Sequence, residues 1–281
     1  MIVNADSQQL FADLPILTAR PSAADEASVP HRLYGQLAAD DQPSVGRWLT
    51  LVEPVLAAAW AEGRPTIVVG GTGLYLHALL RGIPVMPAIP AALRAGLRSW
   101  AATVPSAAIH ARLAACDPGM AARLQPGDRQ RSLRALEVIE ATGRSLSTIQ
   151  ALTSRQIALP EQRCGIALVP PAPIVNQRIE ARLDAMLASG ALAEVRALRT
   201  RHPDLLDLPI AKVQGLRELA AVCEGSLDAE RAKPMIAAQT RQYAKRQRTW
   251  FRHQLPELRP VETVSEVDQV SAAMVASLAI R

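Results

Sequence analysis

The sequence predicts an α/β protein, a parallel doubly wound sheet flanked by helices and interrupted by an all-helical insertion. Three observations predict it. The apolar run Thr66-Ile67-Val68-Val69 passes into Gly70-Gly71-Thr72-Gly73-Leu74-Tyr75 and an apolar helical stretch, the order in which α/β folds bring backbone close to a ligand. A helical pattern over 44–63 precedes that strand, so strand and helix alternate. From about residue 93 to 164 only helical patterns occur, until Cys164-Gly165-Ile166-Ala167-Leu168-Val169 restores a strand.

Residues 1–4 begin an apolar strand, with Asp6-Ser7-Gln8-Gln9 at its C-terminal end, and residues 12–30 are proline-rich and irregular. In the helix over 44–63, Val45, Trp48, Leu49, Val52, Val55, Leu56 and Ala59 recur at helical spacing behind Ser44 as N-cap. At Gly70–Gly73 glycine is expected for tight backbone angles, and the helix start offers N–H groups to an anion. A tight turn of any α/β domain is the other reading. Between Pro84 and Pro90 the chain is again proline-rich, and helices follow over 91–103, 105–115 and 129–142. After the restored strand come helices over 173–200, with Ile179, Leu183, Met186 and Leu187 on one face, then 210–223 and 228–253. The expected organisation is a core from 1–92, a helical insertion at 93–164, and a second core part at 165–281 that carries basic C-terminal helices.

The chain of 281 residues is long enough for a sizeable core. Its net charge is +5, and Lys212, Lys233 and Lys245 are its only lysines, so the basic residues are nearly all arginine. That balance suits nucleic acid or phosphorylated partners. Cys116, Cys164 and Cys223 form neither a CxxC pair nor a disulfide framework, which fits a reducing cytoplasm. The five histidines lack metal-ligand spacing, no apolar run is long enough to span a membrane, and the N-terminus lacks the pattern of a signal peptide.

Three clusters carry chemistry. At the end of the first strand Asp6 can take a proton from a bound nucleophile, and the glutamines can meet a base edge. The plainer alternative is that Asp6 or Ser7 caps a following helix. In Asp128-Arg129-Gln130-Arg131-Ser132-Leu133-Arg134-Ala135-Leu136-Glu137, Arg131 and Arg134 share a helix face that suits phosphates, or a solvated face with local ion pairs. The third cluster runs from Arg241 to Arg252, where five cations interleave with Tyr243, Trp250 and Phe251 and no acid occurs. Such a helix either grips RNA or anchors its rings in the core while the arginines reach outward.

Taken together these segments resemble the bacterial tRNA dimethylallyltransferases, also called isopentenyltransferases. The matching stretches are Asn4 to Gln9, Thr18-Ala19-Arg20-Pro21, Pro30-His31-Arg32-Leu33, Val69 to Tyr75, Asp128 to Arg131 with Arg134 to Glu137, Gly215-Leu216-Arg217, and Thr240 to Arg252. They occur in the family's order from residue 2 to about 255. The resemblance implies a P-loop-type core and a helical insertion that embraces a tRNA anticodon stem-loop. The implied reaction moves a dimethylallyl group from dimethylallyl diphosphate to N6 of the adenosine 3′-adjacent to the anticodon, giving N6-(dimethylallyl)adenosine. It makes Asp6 the base, gives Thr72 an orienting role, and assigns Arg217, with Mg²⁺, to the leaving diphosphate. Asp6, Ser7, Gln8, Gln9 and Thr72 are expected around the target base, and Arg94, Gln130, Arg131, Ser132, Leu133 and Arg134 against the tRNA. A cytoplasmic monomer without a membrane partner is expected.

The family pattern opens with a strand and G-x-x-x-x-G-K-[ST], which cradles the diphosphate, upstream of Asn4-Ala5-Asp6. This sequence contains no Gly-Lys dipeptide. The favoured expectation is a working protein that starts upstream of Met1, since every downstream motif is intact. The alternative is a non-catalytic tRNA-binding remnant. The strand in question is expected at the centre of the sheet, so unpaired edges are expected without it.

Overall fold

A computed structural model describes residues 1–152, 154–160 and 163–279, which form two compact units. Residues 153, 161 and 162, in the last stretch of the expected insertion, and 280–281 lie outside the described residues. Unit 1 comprises Met1–Leu80 and Ala158–Arg281, and unit 2 comprises Arg81–Ile157.

The first part of unit 1 runs β1 (Ile2–Asn4), α1 (Ala23–Ser28), β2 (His31–Arg32), α2 (Val45–Ala61), β3 (Ile67–Val69) and α3 (Gly73–Arg81). Its three strands are parallel in the order β2-β1-β3, with Val3 opposite Arg32 on one side and Val68 on the other. Helix α2 starts where Ser44 accepts the Arg47 N–H at 3.2 Å, and it buries Trp48, Leu49, Val52, Leu56 and Ala59. In the irregular stretch, α1 is closed by a capping box in which Ser22 and Asp25 bond each other's backbone N–H.

In unit 2 come β4 (Ile83–Pro84), α4 (Ala91–Thr103), α5 (Ser106–Cys116), α6 (Pro118–Ala121), α7 (Arg129–Thr142), α8 (Leu146–Leu152) and β5 (Ser154–Arg155). The unit spans 81–157 where 93–164 was expected, and it is not all-helical. Strand β4 pairs antiparallel with β5, Ile83 opposite Arg155, so a short ladder joins its two ends. Ile109, Leu113, Ala135, Leu136 and Val138 are fully buried at its centre.

The chain returns to unit 1 with β6 (Ile166–Leu168), α9 (Ala172–Ala188), α10 (Ala191–Arg201), 3₁₀ turns at Leu205–Asp207 and Pro209–Lys212, α11 (Leu216–Glu224), α12 (Ala229–Gln254), β7 (Arg259–Val261) and α13 (Val264–Ala279). The single helix expected over 173–200 is two, because Gly190 takes φ +100° and the chain turns there. The helix expected from 210 begins only at Leu216, after Gly215 at φ +80°. Strand β6 pairs in parallel with β7 as a separate two-stranded piece. Among the described residues no strand pairs with the outer edge of β3. Ile67 and Val69 there are 64% and 48% exposed, and Leu168 on β6 is 46% exposed, which is unusual for parallel strands.

A buried carboxylate ties unit 2 together. Glu137 on α7 receives Arg134 at 3.0 Å, Arg98 at 3.4 Å and, more distantly, Arg94 at 3.9 Å, the last two from α4. Glu137→Ala is expected to destabilise unit 2 by roughly 2 kcal/mol, less than a fully buried pair because the arginines reach solvent. Thermal unfolding checks this, with Glu137→Gln expected to cost less than the alanine.

Candidate active site

The site is built on the C-terminal ends of β1 and β3. Asn4, the last residue of β1, is fully buried. Its Nδ2 donates to the Leu33 and Asp6 carbonyls at 3.0 Å each, and its Oδ1 accepts the Asp6 N–H at 2.8 Å. The Trp48 indole donates to the Asn4 carbonyl at 2.9 Å and stacks on Tyr75 with ring centroids 4.8 Å apart. These bonds fix the direction in which the chain leaves β1 and therefore the position of Asp6.

Asp6 is half-buried. Its Oδ1 accepts the Gln8 N–H at 2.8 Å, the bond of an Asx-turn, and no helix follows, so the helix-capping alternative is excluded. Burial pushes its carboxyl above the ordinary range, against the N–H groups of Gln8, Gln9 and Gly71 and the charge of Arg182, which pull it down. The hydroxyls of Tyr34, Tyr75 and Tyr243 are pushed up as well, first by burial and then by the Asp6 charge.

Thr72 stands beside this carboxylate. Its Oγ1 accepts the Ser7 N–H at 2.9 Å and donates to Ser7 Oγ at 3.1 Å, while its N–H donates to the Ala5 carbonyl at 3.2 Å. The structure thus brings Asp6, Ser7 and Thr72 together. The role of the glycines is corrected, since Gly70, Gly71 and Gly73 all lack a positive φ. They are required by proximity. A Cβ on Gly70 would lie 2.2 Å from the Ala5 backbone carbon, one on Gly71 2.1 Å from Gln247 Nε2, and one on Gly73 2.2 Å from the Trp250 ring.

Both outer contacts come from α12, which resolves its two readings. Tyr243 and Gln247 meet Thr72 and the glycine turn, and Trp250 covers Gly73 and meets His77 edge-on. Phe251 packs edge-on against Trp250, whereas Lys245, Arg246, Arg248 and Arg252 are exposed.

The two glutamines are engaged by backbone. Gln8 Oε1 accepts the Gln214 N–H at 3.0 Å, and Gln9 Nε2 donates to the Thr18 and Ala19 carbonyls at 3.0 and 2.9 Å. Arg217 is exposed and donates to the Leu206 carbonyl at 2.9 Å. It lines a groove of about 440 Å³ with Gln8, Lys212, Tyr243 and Arg246. In unit 2, Gln130 and Arg131 are exposed and Arg94 and Arg134 are tied to Glu137. Ser132 is fully buried, so the expectation that it touches tRNA is corrected, whereas Leu133 is half-buried against the core. Sequence reasoning missed the structural role of Asn4 and the charge of Arg182 near Asp6. In sequence Arg182 is one more arginine on a helix, with no spacing to mark it.

A profile of the family "IPP transferase" matches residues 9–254. The chain belongs to that family. It is similar to the tRNA dimethylallyltransferase of Methylobacterium nodulans, at 47% identity over 95% of this chain and 89% of the relative. The tRNA dimethylallyltransferase of Nitrobacter hamburgensis is 46% identical over 92% of this chain and 81% of its own length. Among solved structures, the full-length tRNA isopentenylpyrophosphate transferase of Bacillus halodurans superposes with a TM-score of 0.67 at 26% identity, covering 99% of this chain and 89% of that one. A eukaryotic dimethylallyltransferase acting on tRNA shares the fold, with a TM-score of 0.73 at 23% identity over 93% of this chain and 67% of that one.

Two outcomes follow from this geometry. Gly70→Ala drives a methyl group into backbone and is expected to abolish folding or activity. Gly71→Ala drives its methyl into the end of the Gln247 side chain and touches Asp6 Oδ2 at an ordinary 3.4 Å, so it is expected to retain the fold, which circular dichroism and activity together decide. The second concerns pH. Because the Asp6 carboxyl is raised in the folded state, its stability contribution is full below the ordinary carboxylate range and is lost as pH rises through the raised value. Asp6→Asn is expected to flatten that slope in denaturant midpoints measured between about pH 4 and pH 7.

Proposed function

We propose that this chain transfers a dimethylallyl group from dimethylallyl diphosphate to N6 of the tRNA adenosine 3′-adjacent to the anticodon. The observation that carries the reading is Asp6, held at the end of β1 beside Thr72 with its carboxyl raised by burial. The names of the related enzymes support it from outside the geometry. In the transfer step the N6 lone pair forms a bond to C1 of the dimethylallyl group while the C1–O bond breaks. The diphosphate leaves with the bonding pair, and the N6 proton passes to the Asp6 carboxylate. Thr72 orients the reacting groups from the other strand end.

The charge of the leaving diphosphate is met by Arg217, in a groove that also presents Lys212 and Arg246. Mg²⁺ was expected here. A magnesium ion takes one or two carboxylates in addition to substrate phosphates. Among the described residues no three His, Cys, Asp or Glu side chains gather, and the Asp6 carboxylate already accepts backbone N–H groups. A magnesium ion would therefore be held chiefly by the substrate's own diphosphate, and the chain's part in the groove is its cations.

The tRNA contact proposed for unit 2 is the outward face of Gln130, Arg131, Arg134 and Arg94. No helix among the described residues is long and apolar enough to cross a membrane, and a monomer working where tRNA is free in the cytoplasm fits the reading.

The test is transfer of a labelled dimethylallyl group to an anticodon stem-loop carrying the target adenosine. Wild type is expected to incorporate label, and Asp6→Asn to lose at least about a hundredfold in rate while retaining RNA affinity. Salt-sensitive RNA binding without any transfer would instead identify a non-catalytic RNA-binding protein.

A further inference from the structure

We infer that Gln247 and Tyr243 on α12 are positioning residues that hold the glycine turn in the geometry Asp6 needs as a base. The inference rests on the proposed proton transfer to Asp6 and goes beyond it, since neither residue touches Asp6 through a side-chain hydrogen bond of its own.

Gln247 Nε2 donates to the Gly71 carbonyl at 2.9 Å. The same Gly71 lies against the Asp6 carboxylate, where a Cβ on it would stand 3.4 Å from Oδ2, and its N–H pulls that carboxyl down. Gln247 thus anchors from behind the residue that solvates the base from in front. Tyr243, one helical turn earlier, faces Thr72 and Gln247, which act on its hydroxyl, so the two α12 side chains adjoin the turn at Gly71 and Thr72. Trp250, three residues further, lies where a Cβ on Gly73 would go. One face of one helix therefore reads three consecutive turn residues. The Gln247 amide occupies the space a side chain on Gly71 would fill.

A clamp of this kind acts on charge as well as on position. The Asp6 carboxylate faces Arg182 from α9, Tyr34 from the loop after β2, Tyr75 from α3 and Tyr243 from α12. Of these only Arg182 carries opposite charge, and the N–H groups of Gln8, Gln9 and Gly71 supply the remaining stabilisation of the anion. Gln8 is fixed by Gln214, and Gln9 by the carbonyls of Thr18 and Ala19. Gly71 is held by Gln247 on α12. When the Gln247 amide is removed, the Gly71 N–H is the donor free to drift, and the Asp6 carboxyl rises further.

The experiment compares wild type with Gln247→Met, which keeps bulk and removes the donor, and Tyr243→Phe, which removes one hydroxyl. Aspartate carboxyls labelled with ¹³C are titrated in the unliganded chain, with Asp6→Asn assigning the signal. The expected result is an upward shift of the Asp6 titration in Gln247→Met by about half a unit, with the other aspartates unmoved and the unfolding midpoint little changed. In the transfer assay, kcat is expected to fall about tenfold with KM for the RNA within about twofold, and the acid limb of kcat/KM to move up with Asp6. Combining Gln247→Met with Tyr243→Phe is expected to cost less than the product of the two single effects. An unmoved Asp6 titration in a folded Gln247→Met overturns the inference, as does a loss carried entirely by KM. If wild type transfers no label, the proposed function fails on its own, and the carboxyl titration still decides whether α12 sets the environment of Asp6.

Discussion

The buried carboxamide of Asn4 is the constraint on which the rest of the site depends. A fully buried amide must satisfy its donors and acceptor, and this one does so by joining β1, the loop at Leu33 and the backbone of Asp6. Leu33 holds φ +64°, a conformation rarely adopted without compensation, and its carbonyl is one of those Asn4 binds. The Trp48 indole closes the Asn4 carbonyl from α2 and carries Tyr75 of α3 stacked on it. Two helices and a strand end are thereby registered on one residue. The carboxylate two positions later inherits their rigidity.

The glycine turn works through closeness. Helix-start N–H groups and glycine flexibility are what such a pattern suggests in sequence, yet the backbone of Gly70, Gly71 and Gly73 avoids positive φ. What the three share is a neighbour where a Cβ would stand: the backbone of β1's end, an amide and an indole. This lets β3 deliver Thr72 against Ser7 while α12 seals the turn from outside. The long basic helix is thus divided by face, with rings and an amide inward and cations outward. Its aromatic residues are part of the site's support.

Much of this architecture was legible in the chain. Strong amphipathic periods located α2, α4, α7 and α12 to within a residue or two, because burial of one face decides such helices locally. Glycine placement misled where its effect depends on φ. Gly190 splits one expected helix and Gly215 delays another, and a helical apolar period continues across both positions. The site was legible as far as residue types at strand ends go, which offered Asp6 as a candidate, while the role of Thr72 came only from the family resemblance. Which side chains are taken by backbone was invisible. Gln8 and Gln9 suit a base edge by type but serve Gln214 and the Thr18–Ala19 turn. Ser132 lies within an arginine-rich run yet faces the core, because the helix turns it there. The charge of Arg182 acts on Asp6 from a helix far along the chain, and only tertiary packing reveals that.

A carboxylate raised by burial is suited to the chemistry proposed. The exocyclic amine of adenine is almost neutral in basicity and scarcely acidic until its nitrogen begins to bond to carbon. A base for it need not be strong in the ground state. It must be unprotonated near neutrality, close, and able to accept a proton whose acidity rises sharply as positive charge develops on N6. Burial raises the proton affinity of Asp6, and the N–H groups of Gln8, Gln9 and Gly71 act against that rise. The same N–H groups cost no reorganisation as the charge moves, because each is already fixed by the fold. Position and proton affinity are in this way set by one set of backbone contacts, and a perturbation of the turn changes both together.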